Sequence, residues 1–200
     1  MKFWQSTILT LITLPSLLAQ ENDKEKSKFT WEPLEIRKSS FSRALVMLDS
    51  ERDEYAGNLA AYAANEIASN GASIHSLKKG RRILALAMHL SPRNKQALVT
   101  QFQLSKGIVP EKSPSDYSSK VLARLLLSRA QILVQQPQAE NSRLARYLIQ
   151  LAAEIDPRNE DAVYASEIAR LDHGVPNWKQ LTDPTKQENS KSKNSESNDP

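Results

Sequence analysis

The sequence predicts an all-α fold, an antiparallel helix-pair array of about seven helices, on three observations. Apolar residues recur at helical spacing through the middle of the chain, no stretch alternates as a half-buried strand would, and the chain repeats itself once. The first helix is expected over 40–51, where Phe41, Ala44, Leu45 and Leu48 share a face. An alanine-rich helix over 54–69 follows, with Gly71 behind it as a left-handed terminator. Leu77, Gly80, Leu84, Ala87 and Leu90 mark a helix over 76–90, and the next, over 94–106, runs out at Gly107. Ser115 or Asp116 can cap a helix over 116–135 that carries Val121 to Val134. Asn141 can cap the clearest stripe, Leu144, Ala145, Leu148, Ile149, Ala152 and Ile155, over 141–155. A last helix over 159–172 ends before Gly174.

Both ends of the chain read differently. Residues 1–19 have one early lysine, Lys2, an uncharged run from Phe3 to Leu18, and Ala19 before a polar stretch, which is the pattern of a cleavable secretory signal. Thr7, Thr10, Thr13 and Pro15 weaken the same run as a membrane anchor, so membrane contact is expected only if the segment stays uncleaved. An exported chain, periplasmic or secreted, is the expectation. Residues 20–28 and 183–200 hold too little apolar surface to offset their ordering entropy and are expected to be disordered. The folded domain is placed at 29–182, enough chain to bury roughly 68–70% of its unfolded surface in one core.

The duplication lies between the two halves. Leu86 to Leu98, around Ser91-Pro92-Arg93-Asn94, aligns with Leu151 to Val163, around Asp156-Pro157-Arg158-Asn159. Lys106-Gly107-Ile108-Val109-Pro110 is echoed by His173-Gly174-Val175-Pro176. Gly80, Leu84, Ala87 and Pro92, then Ala145, Ile149, Ala152 and Pro157, follow the second-helix pattern of the tetratricopeptide repeat family, and Ala97 and Ala162 open the helix after each. On these residues the chain resembles a divergent tetratricopeptide-repeat protein over 54–172. The aromatic, Leu-Gly and Tyr of the family's first helix are absent: Leu98, Gln101 and Phe102 stand there in one copy, and Val163, Ser166 and Glu167 in the other. The resemblance implies a scaffold whose first helices line a groove for a partner protein or peptide, and that face would include Tyr62 and Asn65 here.

Composition excludes several chemistries. With no cysteine among 200 residues there is no disulfide framework, thiolate metal site or thiol nucleophile. A net charge of +4 is too mild for a nucleic-acid binder, and none is expected as partner. His75, His89 and His173 form no metal-binding helix pair and read as surface or interface residues. No nucleophile elbow, phosphate loop or dinucleotide fingerprint occurs, so neither catalytic residues, a cofactor nor a metal is assigned. Glu66, one turn from Tyr62, is the carboxylate that a helical cell-wall-acting enzyme would use. The basic run Lys78-Lys79-Gly80-Arg81-Arg82 reads as a solvated helix face, and Trp31 and Trp178 as plugs at the ends of the array. The function expected is protein binding without catalysis, with a self-associating structural subunit as the alternative.

Overall fold

The computed structural model describes residues 29–36, 38–42, 44–112 and 117–183, and the expectations for the signal at 1–19, the linker at 20–28 and the tail from 184 onward lie outside them. Among the described residues there are seven helices and no strand: α1 (Asp49–Ser69), α2 (Ile74–Leu90), α3 (Lys95–Ser105), α4 (Ser119–Val134), α5 (Ala139–Ile155), α6 (Glu160–His173) and α7 (Lys179–Thr182). α1 and α2 form one antiparallel pair and α4 and α5 another; α3 packs on α1 and α2, and α6 on α5 and α4. Leu59, Ile67, Leu84, Leu126, Leu144 and Leu148 are among the fully buried side chains. Each such side chain stabilises the fold by about 1.5–3 kcal/mol.

Local chemistry sets the helix ends. Ser73, Asn94, Ser118 and Asn159 accept from the backbone N–H groups of Ser76, Ala97, Val121 and Ala162, as N-caps do. The cap of α4 is thus Ser118, while Ser115 and Asp116 lie outside the described residues. Gly71, Gly107 and Gly174 have φ of 58°, 71° and 72°, the left-handed region where a Cβ is penalised. At two of these ends the chain closes back over the last turn: Ala72 N–H donates to Ile67 O at 2.9 Å and Ile108 N–H to Gln103 O at 2.9 Å.

The two prolyl corners share one geometry. Ser91 and Asp156 leave their helices at φ −138°, ψ 95° and φ −130°, ψ 83°. Asn94 N–H then donates to Ser91 O at 3.1 Å and Asn159 N–H to Asp156 O at 3.0 Å. They differ in their ties to α1: at the first corner the Asn94 amide donates to Asp53 O at 3.0 Å and Ser91 Oγ to Asp53 Oδ1 at 2.7 Å. We expect Asn159→Ala to lose about 1 kcal/mol, an ordinary cap, and Asn94→Ala about 2 kcal/mol, a cap plus a buried tether. Urea denaturation of the two variants checks the order; equal losses would count against the tether.

The segment before α1 departs from the sequence reading. Residues 40–42 and 44–48 are irregular rather than part of a helix over 40–51, and α1 instead runs unbroken from Asp49. The reason is where the backbone N–H groups go. Ser40 N–H donates to His89 Nδ1 at 3.0 Å, Ser42 N–H to Glu140 Oε2 at 2.9 Å and Val46 N–H to Asn141 Oδ1 at 3.0 Å. Side chains from other elements replace the intrahelical acceptors that a helix here would need. Phe41, Leu45 and Met47 point inward, while Leu48, read as the end of the same stripe, is 74% exposed. Asn141 is therefore not the cap of α5: the helix starts at Ala139, and the buried Asn141 amide holds this strap.

The strap and long side chains join the two halves. Tyr55 Oη donates to Leu125 O at 3.3 Å, Arg129 to Glu51 at 3.0 Å and Arg82 to Glu154 at 2.9 Å. Arg129 and Arg143 also hold the carbonyls of Val46 and Ser40. Within the first pair, α1 and α2 come close at Gly80, where an added Cβ would stand 2.5 Å from Ile67 Cδ1. A small residue is required there for the helices to approach.

Candidate functional site

Tyr62 and Asn65 lie half-buried on α1, on the face that also carries Asn58, Tyr55 and Glu51 one, two and three turns before Tyr62. Its first half meets α4 in a cleft of about 200 Å³ lined by Glu51, Glu54, Tyr55, Asn58, Tyr117, Leu122 and Leu125. Tyr117 Oη donates to Glu54 at 2.9 Å across this seam. Burial first, and the Glu51 carboxylate next, push the Tyr55 phenol up to about 12, so it stays a neutral donor. Tyr62 and Asn65 do not line the cleft. Tyr62 accepts from Lys79 Nζ at 3.3 Å and donates to Glu66 at 3.4 Å, and Lys79 stands 5.5 Å from its ring centroid.

Glu66 is bound into the same group. Its carboxylate is 3.5 Å from Lys79 Nζ and accepts from the Asn70 amide at 3.2 Å. His75 and His173 are exposed, whereas His89 is fully buried, between the strap and the segment that follows α6. Among the described residues, no three histidine or carboxylate side chains gather as a metal would need. None of the described helices is long and apolar enough to cross a membrane.

The basic run is not a solvated face. Arg81 pairs with Asp183 at 3.0 Å and donates to Glu32 O at 2.9 Å; Arg82 pairs with Glu154 and lies 5.2 Å from the Trp178 ring centroid. Together with Lys79 these side chains join α2 to α1, α5, α7 and the N-terminal strap, leaving Lys78 exposed. Trp31 and Trp178, from the two ends of the chain, line one open cleft of about 800 Å³ with Phe29, Leu77 and Arg81. Trp178 is seated edge-on against Tyr147, centroids 4.8 Å apart, and donates to Gln150 at 3.0 Å. Its neighbour Leu181 is buried in the same way, on the short helix α7, which the sequence reading left out.

Among the described residues, the third helix of each half leaves large apolar side chains exposed. α6 packs on α5 by its small side: Ala162 is buried and Ala165, Ser166 and Ala169 are half-buried. Its other side carries Tyr164, Ile168 and Leu171, with Val175 just beyond the helix, at 71%, 39%, 70% and 64% exposure. α3 repeats the arrangement, burying Ala97, Thr100 and Leu104 and exposing Leu98, Val99 and Phe102, the last at 61%. Apolar patches of this kind on an otherwise ordinary surface mark sites that something covers. The signal was in the sequence, since residues 164, 168, 171 and 175 keep helical spacing, but it was not singled out.

No family model, curated protein or solved structure matches the chain.

Proposed function

We propose that this protein is an exported scaffold of the divergent tetratricopeptide-like kind, which works by binding other protein chains and carries out no catalysis. The observation that supports this reading most is that α6 is apolar on two sides while the fold covers only one. A helix with a second apolar stripe is incomplete alone; docking of another helix is the simplest way to complete it. The equivalent exits from the two prolyl corners support the likeness to stacked helical repeats, where such open faces receive the next element.

The test is a photo-crosslinking residue in place of Tyr164, with a second chain carrying it at the half-buried Tyr62, each expressed in native cells. Discrete adducts are expected from position 164. They should vanish when Leu171→Asp is added, with the circular-dichroism melt unchanged because both positions are exposed. Adducts from position 62 alone would move the partner to the α1 face; none from either would overturn the reading. A catalytic alternative rests on Glu66: loss of lytic activity in Glu66→Gln would favour it, and no activity of the native chain on envelope polymers would remove it. The other reading, a self-associating subunit, is favoured by one specific property of the two open faces, their opposite charge.

A further inference from the structure

The two open faces differ in their charged borders. From Arg93 to Pro110, around α3, the cations are Arg93, Lys95 and Lys106 and there is no acid. Lys106 lies 5.5 Å from the Phe102 ring centroid, so positive charge sits against the exposed apolar patch itself. Over the matching stretch from Arg158 to Pro176, around α6, the acids are Glu160, Asp161, Glu167 and Asp172 and the cations Arg158 and Arg170, an acidic balance where α3 has a basic one. Arg170 is taken by Glu167 at 2.7 Å. Two α3 faces brought together would oppose cation to cation, and two α6 faces acid to acid. An α3 face against an α6 face joins apolar stripe to apolar stripe and cation to acid.

We propose that α6 of one copy docks on α3 of the next, so that the chain assembles head to tail. This rests on the reading of these faces as binding surfaces and names their occupant as a second copy of the chain. The contact is heterologous, because different patches meet, and it leaves a free α3 at one end and a free α6 at the other. Growth therefore continues into short filaments or closes into a ring. A single helix pair of 11 and 14 residues falls at the small end of protein interfaces. Stable complexes bury about 1,200 Å² or more, so a contact made by one helix pair should assemble in a concentration-dependent way.

The experiment is sedimentation velocity of the full exported chain over a concentration series at low and high salt. The expected result is a mass that rises with concentration and a shift toward monomer in high salt. Two blocked chains then fix the geometry: Phe102→Asp closes α3 and Leu171→Asp closes α6, both at exposed positions. Each should remain a monomer alone, and their mixture should form a one-to-one heterodimer and nothing larger. Self-dimers of the Phe102→Asp chain would overturn the proposal in favour of an α6-to-α6 contact. A wild-type chain that stays monomeric throughout overturns it as well. In that case crosslinks from position 164 to a different chain would leave the wider binding reading standing, and their absence would remove both. Unchanged melting curves for the blocked chains separate lost assembly from lost folding.

Discussion

Replacing Arg52 by alanine should destabilise the fold by about 3–5 kcal/mol, more than any surface substitution. Arg52 lies in the first turn of α1 with its guanidinium buried, 7% exposed. It donates through Nε to Leu90 O at 3.0 Å, through Nη1 to Ser42 O at 3.2 Å and through Nη2 to Phe41 O at 3.4 Å. One carbonyl is the last of α2, where a cation also meets the negative end of the helix; the other two belong to the strap. Alanine leaves three carbonyls without that donor and frees the strap whose Phe41 and Leu45 side chains are buried in the core. Lysine should recover little, since one ammonium on a flexible stem cannot serve three acceptors in the fork of a guanidinium. For a domain of about 150 residues the alanine loss corresponds to a fall in melting temperature of roughly 6–15 °C. A loss under about 1 kcal/mol would show that the strap contributes nothing to stability.

His89 is the second large case, and it carries a pH signature. Its Nδ1 accepts from Ser40 N–H at 3.0 Å, so the proton resides on Nε2, which donates to Leu181 O at 2.9 Å. One buried ring thereby fastens the N-terminal strap and the α7 segment to the end of α2. Burial pushes the imidazole below its ordinary 6.5; the Leu181 carbonyl opposes that and the Arg143 guanidinium adds to it. Protonation would set a new N–H at Nδ1 against the N–H of Ser40. Since the folded value lies below the unfolded one, the unfolded chain binds more protons in the interval between them. The stabilisation from neutral His89 is then complete above about 6.5 and is lost as pH falls below it. His89→Gln should lose about 1–3 kcal/mol at pH 7.5, where one of the two backbone groups is left unpaired, and the gap to wild type should narrow by pH 5. Urea denaturation at both pH values reads this directly. Parallel curves for the two chains would show that His89 does not titrate with folding.

Another carboxylate belongs to the same joint. Burial opposes ionisation of Glu140, but the hydroxyl and backbone N–H of Ser42 outweigh it and hold the carboxyl below its usual range. Arg143, stacked 5.2 Å from the Phe41 ring centroid, adds to that effect. The strap is thus held by residues of α1, α2, α4 and α5 together.

How far this was legible from residues alone depends on the reach of each interaction. Gly71, Gly107 and Gly174 turn left-handed and Leu144 to Ile155 bury one stripe, because each acts within a turn or two of itself, whereas the caps named from the sequence did not include Asn94 and Asn159, which cap their helices in the structure. Residues 40–48 misled because Phe41, Ala44, Leu45 and Leu48 keep helical spacing by coincidence, while the acceptors that unwind the segment are His89, Glu140 and Asn141. The basic run misled for the same reason: Arg81 and Arg82 find their acids at Asp183 and Glu154, far along the chain. Trp31 and Trp178 read as plugs, and that they share one cleft could not be seen from opposite ends of a sequence. The face holding Tyr62 and Asn65 came from the likeness to tetratricopeptide repeats, and only packing revealed that Lys79 and Glu66 occupy the space around the Tyr62 hydroxyl.

On its own, then, the order of residues determined six rods' worth of helical propensity, their glycine terminators and the two prolyl corners between them, since those forces operate over a few residues. Tertiary structure alone decided which apolar side of α3 and α6 is covered and which is left open. It also decided that a strap rather than an eighth contact surface seals the joint between halves. Both depend on groups brought together from distant parts of the chain, where periodicity carries no information about the partner.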